Sequence, residues 1–172
     1  MDNSLIDLMM HIQNDEMEYF DMFFEKTKRP VFNLIYSYLR DCDESEDILQ
    51  ETYLKMLRYK KKIKLDGNIL SYLLQIAKTL SLNYLKRHKR EEYIEDIDLI
   101  GEERKDIPRD LDESLVVKAM KAVLKDSEYQ IVILHVVNGM THKEIASLLK
   151  KPLGTITWAY NNAIEKVRRK MG

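Results

Sequence analysis

"THKEIASLLKKPLGTITWAYNNAIEKVRRK", residues 141–170, decides how the carboxy-terminal third of this chain folds. Thr141 and Glu144 have the spacing of a capping box, in which a hydroxyl accepts the third amide of a helix and the carboxylate returns to the cap amide. Ile145, Ala146, Leu148 and Leu149 then supply the inward face of a helix of about two turns. Lys150-Lys151-Pro152-Leu153-Gly154 breaks it, and a second helix is expected from near Thr155. In that helix Ile156, Tyr160, Ala163 and Val167 share one stripe, which leaves Thr157, Trp158, Asn161, Asn162 and Glu165 for the opposite face. Ala146 is small enough to let the two helices cross closely. This is the pattern of a helix-turn-helix, whose second helix enters the major groove of DNA. An ordinary helical hairpin shares it. Trp158 and the pair Asn161, Asn162 favour DNA, because an outward tryptophan needs a cover and asparagine pairs bidentately with adenine.

Outward from that stretch, charge is segregated along the 172 residues. Residues 1–90 carry 15 basic and 14 acidic side chains, residues 91–113 carry 3 and 11, and residues 114–172 carry 10 and 4. A basic carboxy-terminal segment behind an acidic connector suits a polyanionic partner, although a solvated surface and a self-repelling linker would read alike. Five glycines and three prolines leave few turns, against a many-stranded sheet. No apolar run approaches the roughly 20 residues of a membrane span, so no membrane insertion is expected. Met1-Asp2-Asn3-Ser4 lacks a signal-peptide pattern, so a cytoplasmic location is expected. Cys42 stands alone, and His11, His88, His135 and His142 are scattered, so neither a disulfide nor a metal site is expected. No cofactor motif and no acid, base or nucleophile constellation emerges, against an enzyme.

The amino-terminal half reads as helices throughout. Phe20, Phe23, Phe24 and then Val31, Leu34, Ile35, Tyr38 recur at helical spacing, and Pro30 is expected to divide them into two helices. Asp41-Cys42-Asp43-Glu44-Ser45 is a polar break whose acids suit the positive end of the next helix. That helix buries Ile48, Leu49, Thr52, Tyr53, Met56 and Leu57 and presents Asp47, Gln50, Glu51 and Lys55 on its other face. A basic loop, residues 60–67, closes on Asp66-Gly67. A long helix from Asn68 to about His88 follows, with Leu70, Leu73, Ala77, Leu80 and Tyr84 inward, ending in Lys86-Arg87-His88-Lys89-Arg90. Residues 91–113 read as a linker in which Ile94, Ile97 and Ile100 could form a short amphipathic piece. Leu115–Leu124 and Glu128–Val137 are the next expected helices, the latter stopped at Asn138-Gly139.

Two motifs, in this order, resemble one family. "EDILQETYLKML" (46–57) with "ILSYLLQIAKTLSLNYLKRHKR" (69–90) is similar to the polymerase-binding and promoter-melting segments of extracytoplasmic-function sigma factors of the sigma-70 family. "KEIASLLKKPLGTITWAYNNAIEKVRR" (143–169) resembles their carboxy-terminal helix-turn-helix. The likeness covers the chain apart from about the first dozen residues and the linker. It implies an all-α protein of two helical domains: a sigma region 2-like bundle over 1–90, an acidic linker over 91–113, and a sigma region 4-like helix-turn-helix domain over 114–172. It also implies partners, namely core RNA polymerase, promoter DNA and, in regulated members, an anti-sigma factor. Asp47, Gln50, Glu51 and Lys55 would then dock on polymerase. Ser71, Tyr72, Lys78, Asn83, Lys86 and Arg87 would serve the minus-ten element, with Tyr72 either stacking on a base or packing in the core. Lys143, Lys151, Thr155, Thr157, Trp158, Asn161, Asn162 and Arg168 would serve the minus-thirty-five element, and the acidic linker would mimic a polyanion in a polymerase channel.

The chain departs from the family pattern at several points. Lys150 stands where glycine is usual at the bend, and Thr157, Ala159, Asn161 and Asn162 replace more basic positions. Thr79 and Asn83 replace the usual Asn and Asp of the minus-ten helix. Phosphate affinity then falls to a rim of Lys143, Lys150, Lys151, Lys166, Arg168, Arg169 and Lys170. A free-standing helix-turn-helix regulator, using its amino-terminal half to dimerise or sense a ligand, is the alternative function.

Overall fold

The computed structural model describes residues 4–95 and 119–172, apart from 121. Every regular element among them is helical: α1 (Leu5–Gln13), α2 (Phe20–Leu39), α3 (Cys42–Tyr59), α4 (Ile69–Glu95), α5 (Asp126–Val132), α6 (His142–Leu149) and α7 (Leu153–Met171). Short 3-10 turns lie at Met17–Tyr19 and Lys60–Lys62, and α5 runs on as a π-helical turn over Ile133–Val137.

Local chemistry explains most of the boundaries. The Asp41 carboxylate accepts the Glu44 amide at 3.0 Å and starts α3. Asn68 Oδ1 accepts the Ser71 amide at 3.0 Å and starts α4. The expected capping box starts α6: the Glu144 amide donates to Thr141 Oγ1 at 3.2 Å, and Glu144 Oε2 accepts the Thr141 amide at 2.8 Å. Gly139 takes φ +67 beyond the π-helical turn, a backbone conformation that costs glycine least.

α2 is one helix, not two. Pro30 lies inside it, where a missing amide and a ring clash cost about 3 kcal/mol. Phe23, Val31, Leu34 and Ile35 are fully buried on either side of it, and at about 1.5–3 kcal/mol each they outweigh that cost. α2 is the central rod, in contact with α1, α3, α4, α5 and the π-helical turn.

Three further expectations shift. Leu5–Gln13, in the stretch the family resemblance does not reach, forms α1, capped where the Asp7 amide donates to Ser4 Oγ at 3.2 Å and docked by fully buried Leu8, Met9 and Ile12. α4 continues past His88 to Glu95, so the acidic segment begins as helix; its remainder, with Ile97 and Ile100, lies outside the described residues, as does 115–118. α7 begins at Leu153, two residues before Thr155, so Gly154 is helical and the bend's left-handed position is Lys150, at φ +53.

The two halves share a core. Met120, Tyr129, Val132, Ile133, Ala163 and Val167 make a local cluster between α5 and α7. Ile131, Leu134, Met140, Ile145, Leu148 and Ile156 instead join the cluster built by α1 to α4. Polar pairs close the seam. Gln130 Nε2 donates to Ser37 Oγ at 3.1 Å, Asn33 Nδ2 to Asn138 Oδ1 at 3.1 Å, and Asn138 Nδ2 to the Pro30 carbonyl at 3.0 Å. The Arg40 guanidinium lies 3.6 Å over the Tyr129 ring and 3.4 Å from Asp126.

Candidate nucleic-acid interface

α3 divides as its periodicity requires. Ile48, Thr52, Tyr53 and Met56 are buried, while Asp47, Gln50 and Glu51 are exposed and Lys55 is half-buried. Tyr53 is fixed by Thr27, whose hydroxyl lies 2.7 Å from the phenol, and burial pushes that phenol well above its ordinary range. Leu54, 63% exposed, shares the outer face with Gln50 and Glu51 and escaped the sequence reading. Four-residue spacing from Gln50 would have found it. An exposed apolar side chain beside Gln50 and the Glu51 carboxylate suits a protein partner better than DNA.

α4 offers one continuous outer stripe. Tyr72, Gln75, Thr79, Asn83 and Lys86 are exposed at spacings of three and four, with Arg87 beside the last. From Tyr72 to Lys86 the stripe runs about 21 Å, an aromatic at one end and cations at the other. Gln75 was not singled out from the sequence, although it fits the same period. Two expected members lie off the stripe. Ser71 is half-buried in the first turn. Lys78 turns inward, its Nζ donating to the Leu148 carbonyl of α6; burial, helped by the Lys150 charge, holds its pKa below the usual lysine range. Lys78 therefore ties the helix-turn-helix to α4 and is not displayed for a phosphate. The loop before α4 holds exposed Lys61, Lys62 and Lys64 beside Tyr59.

The helix-turn-helix is built by α6 and α7. Ile156, Ala163 and Val167 are buried and Tyr160 half-buried, as the stripe required. Outward stand Thr155, Asn161, Arg168 and Trp158, the last 66% exposed, with Lys143 and Lys151 on the rim. Asn161, Glu165, Arg168 and Arg169 line a shallow hollow with Tyr160 and Ile164. Two predicted readers are otherwise engaged. Asn162 was expected on the outer face, yet its Nδ2 donates to Glu128 Oε1 at 2.8 Å. Thr157 is half-buried, its hydroxyl 3.3 Å from His142 Nδ1.

The rim is likewise thinner than expected. Lys166 donates to both Glu128 oxygens at 2.7 and 2.9 Å, and Arg169 pairs with Glu165. Glu128, only 6% exposed, also accepts the Lys125 amide at 3.0 Å. Burial alone would raise its carboxyl, but Lys166, the Lys125 amide and Asn162 outweigh it and hold the group below the ordinary 4.5. Nothing in the sequence marked Glu128 as the brace of α7, because its partners lie 34 and 38 residues away.

His135, His142 and Tyr160 gather into one cluster behind the outer face, ring centroids 4.6 to 4.9 Å apart. His135 Nδ1 is 2.7 Å from the Met140 carbonyl, and His142 Nε2 is buried with no hydrogen-bond partner among the described residues. Burial, with the neighbouring His135, holds His142 below its ordinary 6.5.

Known proteins resemble this chain in sequence and in fold. The Sigma-70 region 2 family matches residues 23–91, which hold α2, α3 and most of α4. The chain is 25% identical to the ECF RNA polymerase sigma factor SigK of Mycobacterium tuberculosis, over 94% of this chain and 90% of that protein. It is 24% identical to the RNA polymerase sigma-H factor of Pseudomonas aeruginosa, over 87% of this chain and 84% of that one. Two solved structures share the fold. The sigma factor RpoE of Bartonella quintana, in complex with the anti-sigma factor NepR, matches at TM-score 0.72 and 18% identity over 88% of this chain and 96% of that one. CnrH, in complex with the cytosolic domain of CnrY, matches at TM-score 0.66 and 13% identity over 96% of each chain. A region 2 match over α2 to α4, a helix-turn-helix in the expected order and relatives that align over nearly the full length make this chain similar to the extracytoplasmic-function sigma factors of the sigma-70 family.

Proposed function

We propose that this chain is a transcription initiation factor that binds core RNA polymerase, carries it to particular promoters and helps to open the DNA. The observation that carries this reading is the outer face of α3. Asp47, Gln50, Glu51 and Leu54 stand exposed together on the helix whose other face builds the core. They lie inside the segment that matches Sigma-70 region 2. Polymerase docks there, with Lys55 at the margin.

The stripe from Tyr72 to Arg87 follows one displaced strand at the minus-ten element. Tyr72 offers a stacking surface, Gln75 and Asn83 hydrogen bonds, and Lys86 and Arg87 hold phosphates. At the minus-thirty-five element, Thr155, Trp158 and Asn161 read base edges while Lys143, Lys151 and Arg168 hold phosphates. Asn162 and Thr157 contribute by orienting α7. Tethering to polymerase raises the local concentration of the helix-turn-helix and offsets its thin rim.

The working division is residues 1–90 for polymerase and the minus-ten element and 114–172 for the minus-thirty-five element, with 91–113 connecting them. The chain acts in the cytoplasm, without a catalytic step or cofactor of its own, and an anti-sigma factor is a natural regulator.

Co-purification of core polymerase with the full chain, followed by transcription from a randomised promoter library, tests the reading. Polymerase-dependent selection of a two-part promoter is the expected result. Tight operator binding with no polymerase retained would instead identify a free-standing regulator.

A further inference from the structure

α1 lies outside the matched family segment and ends against the loop that precedes α4. The side-chain amide of Gln13 spends both of its hydrogens there, Nε2 donating to the carbonyls of Lys60 and Ile63, each at 2.7 Å. Asp15 adds a second tie: Oδ1 lies 2.7 Å from Lys60 Nζ and Oδ2 3.1 Å from Lys61 Nζ. Lys61 Nζ also donates to the Gln13 carbonyl. Asp15 holds a left-handed backbone at φ +68 to make this reach, a conformation that the short polar side chains tolerate best. The two lysines hold its carboxyl below the usual range. Buried Leu8, Met9 and Ile12 anchor the whole strut to the core.

The loop needs such a strut. Residues 60–64 contain four lysines, which repel one another. Asp15 draws Lys60 in, its side chain 15% exposed, and leaves Lys61 at 63%; Lys62 and Lys64 also face outward. Exposed Tyr59 lies alongside, with Lys62 Nζ 5.7 Å from its ring. Cations beside an aromatic face are what a separated strand is gripped by. A loop already ordered spares the ordering cost at the moment of capture.

We infer that Gln13 and Asp15 are positioning residues that hold the lysine loop in the shape that captures the separated promoter strand. This rests on the reading of α4 as the strand-opening surface, which the lysine loop directly precedes. With the strut removed, the loop must order itself while the duplex opens, so opening is penalised while polymerase docking on α3 is not.

The test uses the full chain, core polymerase and a promoter recovered by selection with the parent chain. Gln13→Ala is expected to retain core polymerase and to lower transcript yield from the duplex promoter about tenfold, equivalent to about 1.4 kcal/mol. On the same promoter carrying a pre-opened mismatch bubble, its yield is expected to return to within about twofold of the parent, because the step it assists is already complete. Lys86→Ala and Arg87→Ala, which remove strand contacts, are expected to lose yield on both templates. Asp15→Asn keeps a residue suited to the left-handed backbone and removes the charge; it carries the test should Gln13→Ala fail to fold, with a smaller loss on duplex and the same rescue. Undiminished yield on duplex by folded variants, or an equal deficit on both templates, would overturn the inference. Failure of the parent chain with core polymerase to yield any promoter in that selection would overturn the functional reading and the inference with it.

Discussion

Lys150 illustrates how much one backbone angle asks of a residue. Its φ of +53 at the bend between α6 and α7 is where a Cβ is penalised by roughly 1–2 kcal/mol. Lys150→Gly is therefore expected to stabilise the chain by about 1 kcal/mol, read as a higher thermal midpoint, while removing one rim charge from the DNA side. A lower midpoint would show that the lysine's own contacts outweigh the strain. His142 and Glu128 set two separate acid windows. His142 resists protonation when folded, so the unfolded chain takes up more protons below the ordinary 6.5. Stability is then unaffected above that pH and declines as pH falls through it. Glu128 is depressed, so its contribution is complete above the ordinary 4.5 and is lost as pH falls through its lower folded value. Thermal melts across pH should show both losses, with His142→Asn removing the first and Glu128→Gln the second. Equal pH profiles in parent and variants would refute the assignment.

At the scale of the element, α3 shows why one helix can serve a core and a partner at once. Asp47 and Glu51 lie opposite the stripe of Ile48, Thr52, Tyr53 and Met56, so reversing both to Lys is expected to abolish co-purification with polymerase and leave helical circular dichroism unchanged. Leu54→Ala is expected to weaken the same association without loss of stability, since the side chain already faces solvent. A folded double-lysine variant that still binds polymerase would remove α3 as the docking helix. α2 gives the converse lesson. Pro30→Ala restores an amide and removes a ring clash in mid-helix, so a gain of about 1–3 kcal/mol is expected, reduced by the greater freedom of the unfolded chain. Denaturant unfolding measures it directly.

Across the whole molecule, the seam between the halves limits how far apart two DNA-binding surfaces can lie. Elements centred about 25 base pairs apart span about 85 Å of B-form DNA, whereas Lys78 of α4 holds the Leu148 carbonyl of α6. Under the proposed reading the seam must part before both elements are read together. A short reducible crosslink between Arg40→Cys and Asp126→Cys, in a Cys42→Ser background, is expected to spare polymerase binding and block transcription until reduced. Full transcription by the linked protein would mean that the packed arrangement itself reads the promoter. Asn138→Ala, which strips a partner from Asn33 and from the Pro30 carbonyl, is expected to cost about 1–3 kcal/mol and to bring unfolding closer to two separate transitions.

The all-helical class, the faces of α3, the inward stripe of α7 and the capping box at Thr141 were legible in the sequence, because period and capping are local properties. Even α1 was legible in principle, in Ser4, Asp7 and the spacing of Leu8, Met9 and Ile12. What only the tertiary structure decided are contacts between residues far apart in the chain. Pro30 stays helical because buried neighbours outweigh its penalty. Asn162 and Lys166 turn from the groove-facing side because Glu128 offers them a buried carboxylate. Lys78 leaves the strand-facing stripe for a carbonyl 70 residues away, and Gln13 finds two carbonyls at separations of 47 and 50. Periodicity states which way a side chain points along its own helix; a buried polar group answers to whichever partner the packing brings within hydrogen-bonding distance.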